Sequence, residues 1–435
     1  MYFKQIFTES LAHYSYILGD GKQLIVIDPQ PDVNLYLDIS LQLGVLINYI
    51  FETHRNEDFI SGSSALAKLC GAKIYIAAEK NLDYQYGKRI KDGQTFSFNN
   101  FKLKAMYTPG HTLGSVSYVL YYKDSIHMVF VGDTLFYGDI GRFDFYGKDQ
   151  LDKMAGLLYD SIYNKLLPLG DEVLMFPAHG SGSSCGEDIE KRPFSTLGYE
   201  RINNVKLQYT SKAAFISANK KMLPKPPYFD FIEEINLIGG QAIDSNLTVS
   251  YKSLETLDYN RVTILDLRSQ AAFNFAHIPK SIWIEKYKIV NFIPWVIERE
   301  AEIVVISDDV DRKKLLLDLK RIGYNKISFT SDFNDYYQTF KQLEKIEVVF
   351  PKEFNKVKDD YFILNLSDKA KVNLDYNDNG VVIPIEEIKN KVSTLVDIEN
   401  ILVVCPSGIR SNIVSSYLKK KGILSKVLIG GLDSL

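Results

Sequence analysis

Over the first 235 positions, short apolar runs repeatedly end on polar residues. Tyr16-Ile17-Leu18 and Leu24-Ile25-Val26-Ile27-Asp28 flank Gly19-Asp20-Gly21, a pattern that predicts two strands and a turn. Ile47-Asn48-Tyr49-Ile50-Phe51 predicts a buried strand ending at Thr53-His54. Met128-Val129-Phe130-Val131 runs into Gly132-Asp133, and Val173-Leu174-Met175-Phe176 runs into Pro177-Ala178-His179-Gly180. Ala65–Cys70 reads as an apolar helix that carries Cys70 into the core. Polar residues just past buried strands predict one site lined by strand-end loops. Pro224-Lys225-Pro226-Pro227 cannot continue a helix, so it is a linker or a docked extended segment. The first domain is set at residues 1–240.

The remainder carries a weak internal repeat. Val304-Val305-Ile306-Ser307 aligns with Leu402-Val403-Val404-Cys405 without a gap, and a helix and a glycine (Gly323, Gly422) follow each. Ile264-Leu265-Asp266-Leu267-Arg268 corresponds loosely to Ile363-Leu364-Asn365-Leu366-Ser367, and His277-Ile278-Pro279 to Val382-Ile383-Pro384. Two small α/β units with parallel sheets are expected, at 245–345 and 350–435.

The length, 435 residues, agrees with roughly three domains. A net charge of −3 offers no basic patch for nucleic acid, and no run of about 20 apolar residues predicts a membrane span. Met1-Tyr2-Phe3-Lys4 does not open a secretory leader, and three cysteines are too few for a disulfide scaffold, so a cytoplasmic setting is expected.

Three candidate ligands follow strands or turns: His54, His111 in Thr108-Pro109-Gly110-His111-Thr112, and Asp133. Two histidines and one carboxylate suit non-haem Fe(II), which needs open positions for O2 and substrate. Residues 53–59 read Thr-His-Arg-Asn-Glu-Asp-Phe. The binuclear hydrolases of the metallo-β-lactamase fold carry Thr-His-x-His-x-Asp-His there, so Asn56 and Phe59 replace two histidines. Phenylalanine has no lone pair for a metal. Asp58 is assigned to hydrogen bonding around the ligands, and His13, His127 and His277 to structural roles.

These residues, with Gly141-Arg142-Phe143-Asp144-Phe145, Pro177-Ala178-His179 and Leu223-Pro224-Lys225-Pro226, resemble the persulfide dioxygenases of the metallo-β-lactamase fold. The resemblance implies one Fe(II) per chain on His54, His111 and Asp133, and no other cofactor. Arg142, with its fork of donors, is the candidate binder of a thiol's carboxylate. His179 matches a second-metal ligand of the binuclear relatives and is assigned to the ligand surroundings or the substrate. Cys185, in the Gly/Ser loop after His179, is a candidate persulfide acceptor.

Cys405-Pro406-Ser407-Gly408-Ile409-Arg410 follows a strand and opens a helix, a setting that favours a thiolate or persulfide at Cys405. It resembles the Cys-x-x-Gly-x-Arg loop of rhodaneses, so Cys405 and Arg410 are candidate catalytic residues. Ser307, among Asp308, Asp309 and Asp311, cannot carry a sulfane sulfur, so 245–345 is expected to be inactive. The whole chain resembles fusions that oxidise persulfides. The implied class is α/β and α+β multidomain: a metallo-β-lactamase αββα sandwich followed by two rhodanese-like α/β domains. The implied partners are a low-molecular-weight thiol persulfide, O2 and sulfite, with no nucleic acid and no membrane, in a homo-oligomer. Sulfite from the first domain would accept sulfur from Cys405 to give thiosulfate. A glyoxalase II-type zinc thioester hydrolase, and a non-catalytic carrier using Cys405 alone, are the alternatives.

Overall fold

The computed structural model describes all residues except 245–246, 331–332, 340–341 and 368–378. The chain divides into two units, Met1–Lys225 with Phe229–Ser245, and Pro226–Tyr228 with Asn246–Leu435. The expected start of the second domain, residue 245, falls outside the described residues.

The first unit holds two six-stranded sheets. One runs in sequence order: β1 (Tyr2–Thr8), β2 (His13–Gly19), β3 (Leu24–Ile27), β4 (Ile47–Phe51), β5 (Lys73–Ile76) and β6 (Lys88–Arg89). The other contains β7 (Thr95–Ser97), β8 (Phe101–Tyr107), β9 (Val116–Tyr122), β10 (Ser125–Gly132), β11 (Leu174–Pro177) and β12 (Ser195–Thr196), again as sequence neighbours. Period-two alternation sorts the side chains. Tyr16, Leu18, Ile25 and Ile27 share a core with Leu103, Tyr118, Leu120 and Phe130 of the second sheet. Ile17, Leu24 and Val26 point the other way. They pack on Tyr36 and Ile39 of α1 (Asn34–Leu43) and Leu66 of α2 (Ser63–Cys70). A one-residue slip of β2 or β3 would exchange these faces, so burial on both sides fixes the register. Further helices are α3 (Leu151–Ser161), α4 (Leu197–Asn203), α5 (Lys212–Asn219) and α6 (Phe229–Ile238). Met154 and Leu158 of α3 and Phe215 of α5 join the inter-sheet core.

The second unit has two parallel sheets. β13 (Val262–Asp266), β14 (Ile282–Trp283), β15 (Glu302–Ile306) and β16 (Ile327–Phe329) stand in the order β14-β13-β15-β16, with α7 (Gln270–Phe275), α8 (Ile289–Val296) and α9 (Arg312–Arg321) between strands. α10 (Phe333–Thr339) follows. β17 (Glu347–Val349), β18 (Phe362–Asn365), β19 (Gly380–Val382), β20 (Ile401–Val404) and β21 (Ser425–Leu428) stand in the order β17-β21-β20-β18-β19. Its helices include α11 (Pro351–Val357), α12 (Ile388–Lys391) and α13 (Ile409–Lys420).

The internal repeat is visible in the pairing. Leu265 lies opposite Val305 in one sheet, and Leu364 opposite Val403 in the other. Each first strand turns alike: Asp266 accepts the Arg268 N–H at 3.0 Å, and Asn365 accepts the Ser367 N–H at 2.8 Å. Among the described residues, no helix is long and apolar enough to cross a membrane.

Candidate metal centre and cysteine loop

Four loops at strand ends converge in the first unit. They follow β4 (His54), β8 (His111), β10 (Asp133) and β11 (His179), and all four side chains are buried. Nε2 of His54 lies 3.6 Å from Oδ2 of Asp133, and Nε2 of His111 lies 3.5 Å from the same oxygen. Ligand atoms of these three residues lie within 4.8 Å of one another, close enough for one ion.

Each imidazole is held by its other nitrogen. Asp28 accepts the Thr53 N–H and Thr53 O–H, both at 2.8 Å. With its proton committed to Asp28, Thr53 Oγ1 accepts from Nδ1–H of His54 at 2.9 Å. The Arg142 carbonyl accepts from Nδ1–H of His111 at 2.7 Å. Both tautomers therefore leave a bare Nε2 lone pair facing the centre, and neither Nε2 has a hydrogen-bond partner. Buried acceptors without donors are costly, and a cation satisfies them. The residues fit a metal ion. Close approach makes the loops depend on glycine: a Cβ on Gly141 would sit 1.7 Å from the Asp133 carbonyl oxygen, and one on Gly132, at φ +54°, 2.7 Å from Thr53 Oγ1.

His179 bridges two acids. Nδ1 lies 2.8 and 2.9 Å from the Asp133 oxygens, and Nε2 3.0 Å from Asp58 Oδ2. Burial opposes its charge, yet Asp133 and Asp58 hold its pKa well above the ordinary value. Burial likewise opposes ionisation of Asp133, but His179, His54 and His111 keep its pKa below the usual carboxylate range. Burial raises Asp28 to about 7 despite the two Thr53 hydrogen bonds.

Phe59 is fully buried, its ring 4.1 Å from that of His13 and 6.3 Å from that of His179. It fills the neighbourhood of His179 with carbon. Even so, a second donor group exists, because ligand atoms of Asp58, His179 and Cys185 lie within 4.8 Å of one another.

Arg142, the candidate binder of a thiol's carboxylate, is engaged within the protein. Its guanidinium pairs with Asp144 through Nε at 2.7 Å and Nη2 at 2.8 Å. The remaining N–H groups donate to the carbonyls of Ser184 (3.3 Å), Pro224 (3.0 Å) and Leu223 (2.9 Å). All five donors are used, and the residue is buried. Arg142 instead ties the extended 223–224 segment to the strand-end loop whose carbonyl orients His111. Cys185 does not lie on an open flexible loop. It is fully buried against Phe136 and Ile189, and burial followed by Asp58, Asp133 and Glu57 pushes its thiol pKa well above the ordinary value.

The sequence reading passed over two residues. Asn236 of α6 clamps the motif loop: its Nδ2 donates to the carbonyls of Asn56 (2.8 Å) and Phe59 (2.9 Å), and its Oδ1 accepts the Ser61 N–H (2.8 Å). Glu57, between Asn56 and Asp58, turns into the centre. Its negative charge was the only sequence signal.

In the second unit, Cys405 directly follows β20 and is buried. Its sulfur accepts the Ser411 N–H at 3.4 Å and lies 3.5 Å from Ser411 Oγ. Gly408, at φ +80°, turns the loop into α13. Arg410 points its Nη1 to the Leu366 carbonyl at 3.1 Å. Thus Ser411, one residue beyond the predicted pair, is the polar group placed against the sulfur.

Residues 9–179 match the family model of the metallo-beta-lactamase superfamily. The mitochondrial persulfide dioxygenase ETHE1 of Bos taurus is 31% identical over 244 residues, which are 54% of this chain and 87% of that protein. The hydroxyacylglutathione hydrolase GloC of Haemophilus influenzae is 27% identical over 200 residues, 41% of this chain and 91% of that one. A crystal structure of a metallo-beta-lactamase from Staphylococcus aureus subsp. aureus COL superposes with a TM-score of 0.67 at 30% identity, covering 76% of this chain and 98% of that chain. The chain therefore belongs to the metallo-beta-lactamase superfamily, with homology to the ETHE1 persulfide dioxygenases over its N-terminal half.

Proposed function

We propose that this chain is a non-haem Fe(II) persulfide dioxygenase whose product feeds a sulfur transfer at Cys405. The observation that carries the first part is the pair of bare Nε2 atoms beside one Asp133 oxygen, with Phe59 where a second-metal histidine would stand. Two imidazoles and a carboxylate with open positions are the ligand set of O2-using ferrous enzymes. The homology to persulfide dioxygenases supports sulfur as the atom oxidised. Fe(II) in this site would supply O2 activation and a place for the terminal sulfur of a low-molecular-weight thiol persulfide. The protein's own part is orientation and exclusion. Thr53 and the Arg142 carbonyl fix the imidazoles, His179 braces Asp133, and Phe59 and Phe145 wall the histidines with carbon. With both atoms of O2 added to the outer sulfur, a water molecule would cleave the S–S bond, supplying the third oxygen of sulfite and the proton of the free thiol.

At the second centre, a Cys405 thiolate attacks the outer sulfur of a second persulfide and expels the thiol as thiolate. The Ser411 N–H stabilises the resulting cysteine persulfide anion. Sulfite then attacks that outer sulfur, releasing thiosulfate and the Cys405 thiolate. We assign 245–345 as an inactive rhodanese-like domain, because Ser307 holds the cysteine's place, and 350–435 as the active one.

Anaerobic purification, metal analysis and O2 uptake with a thiol persulfide test the proposal. About one iron per chain and persulfide-dependent O2 consumption support it. No O2 uptake after iron loading overturns it. The Asp58, His179 and Cys185 donor group favours one second reading, a two-zinc thioester hydrolase, which predicts two zinc ions and thioester cleavage without O2.

A further inference from the structure

We propose that Glu57 is a fourth protein ligand of the metal centre, standing in for the imidazole that Asn56 does not supply. The proposal rests on the reading of His54, His111 and Asp133 as a metal site and adds a donor from this chain's own motif. Oε2 of Glu57 lies 3.4 Å from Nε2 of His111 and 3.9 Å from Nε2 of His54. Donors held about 2.1 Å from one cation in a tetrahedron stand about 3.4 Å apart. The contacts of Asp133 to the same two nitrogens, 3.5 and 3.6 Å, have that spacing as well. Asp133 thus approaches both imidazole lone pairs, and Glu57 that of His111, at ligand-to-ligand distance, while the 3.9 Å from Glu57 to His54 is longer; ligand atoms of Glu57, His111 and Cys185 also lie within 4.8 Å of one another. These separations exceed the usual range of an N–H···O hydrogen bond, about 2.7–3.2 Å.

Glu57 is buried and faces the two imidazoles. It is 1% exposed, and neither oxygen has a hydrogen-bond partner among the described residues. The nearest arginine in sequence, Arg55, directs Nη2 to Glu233 at 3.1 Å and interacts with Glu57 through charge alone. A buried carboxylate without donors is retained only where a cation compensates it. The chain around it is pinned: Asn236 holds the carbonyls of Asn56 and Phe59, so the loop cannot swing to carry Glu57 out. A second carboxylate neutralises a divalent ion that two imidazoles and one carboxylate leave at +1.

Cobalt(II) titration of the metal-stripped full-length protein tests this without relying on turnover. Glu57→Gln keeps the size and removes the charge. The expected result is a Co(II) affinity at least tenfold weaker by chelator competition, with a changed visible d–d spectrum as water replaces the carboxylate. An unchanged spectrum with affinity within about twofold of wild type overturns the proposal. Because the variant could misfold, a crystal structure of the metal-loaded wild type gives an independent reading. A Glu57 oxygen about 2.2 Å from the ion supports the proposal, and both oxygens beyond about 3 Å refute it. The two ideas fail separately. A Glu57-dependent Co(II) spectrum in a protein without persulfide-dependent O2 uptake sinks the dioxygenase reading and spares the ligand. Full O2 uptake with a Glu57-independent spectrum does the opposite.

Discussion

Replacing Arg142 with lysine should loosen the first unit without weakening substrate binding. The guanidinium makes two bonds to Asp144 and one each to the carbonyls of Ser184, Pro224 and Leu223. Lysine keeps one positive charge and can still meet Asp144, but it lacks the planar fork that reaches three carbonyls at once. Two or three buried carbonyls then lose a partner at about 1 kcal/mol each, so a loss of about 2–3 kcal/mol is expected. Arg142→Met, which abandons Asp144 as an unpaired buried charge, should cost about 3–5 kcal/mol. Both are large against a typical total of about 5–15 kcal/mol. The two tryptophans, Trp283 and Trp295, lie in the second unit, so their fluorescence is a poor probe. Hydrogen exchange is a better one. The Arg142 amide donates to the Cys185 carbonyl at 2.9 Å, and the Leu223 amide to Asp144 Oδ2 at 2.7 Å. In Arg142→Lys these two amides should exchange about 30- to 150-fold faster, because 1.4 kcal/mol is a factor of ten. The KM for a carboxylate-bearing persulfide should stay near wild type. Unchanged exchange with a raised KM would falsify the structural role and restore Arg142 as a substrate anchor.

Three further outcomes are expected. Thr53→Val removes the hydroxyl between Asp28 and His54 and should weaken metal binding about 10- to 100-fold by chelator competition; wild-type affinity would show that His54 needs no such brace. Cys405→Ser should shift the product from thiosulfate to sulfite, and Ser411→Ala should slow thiosulfate formation about tenfold by removing a hydroxyl 3.5 Å from the sulfur; unaltered thiosulfate yield in Cys405→Ser refutes the assignment. His277, stacked on Phe273 with ring centroids 4.0 Å apart, is depressed to about 4 by burial. The folded state therefore binds fewer protons than the unfolded one. Its contribution of about 3 kcal/mol is present above pH about 6.5 and is lost as pH falls through about 4. Trp283 fluorescence in urea should show this acid slope, and His277→Gln should flatten it.

What could be seen in the sequence was mostly what repeats or alternates. The apolar run at 47–51 forms β4, and a candidate metal ligand two or three residues past a buried strand has few other places to go. The 98-residue offset placed Ser307 and Cys405 at equivalent strand ends because both strands are buried on two faces and keep their apolar runs. The misses have a different physical origin. The partners of Arg142 are carbonyls at 184, 223 and 224, and a backbone carbonyl leaves no mark on residue type. The Gly/Ser composition of 180–184 suggested a mobile loop, whereas Cys185 is decided by its contact with Phe136 and Ile189, one of them 49 residues away. The Asn236 clamp joins α6 to a loop some 180 residues earlier, a pairing no periodicity encodes.

The motif at 53–59 shows why spacing alone misleads at a metal site. Position by position, it has lost two imidazoles, which reads as loss of two ligands. In space the accounting differs, because what an ion requires is donor atoms at a fixed radius, whichever residue delivers them. Glutamate has one more rotatable bond than histidine and can bring an oxygen to a point from a neighbouring Cα. Glu57 does so beside His54 and His111, one position along from Asn56. Phe59 has no such substitute on its own loop. The thiol of Cys185, from a separate loop, lies within 4.8 Å of ligand atoms of Asp58 and His179, which pair with each other at 3.0 Å. The two losses therefore differ in kind. One is a ligand exchange within the motif that keeps a four-donor centre. The other puts an aromatic wall where an imidazole stood and leaves His179 engaged between two carboxylates. A centre altered this way favours one metal over two, and that asymmetry separates an O2-using ferrous site from a hydrolytic zinc pair.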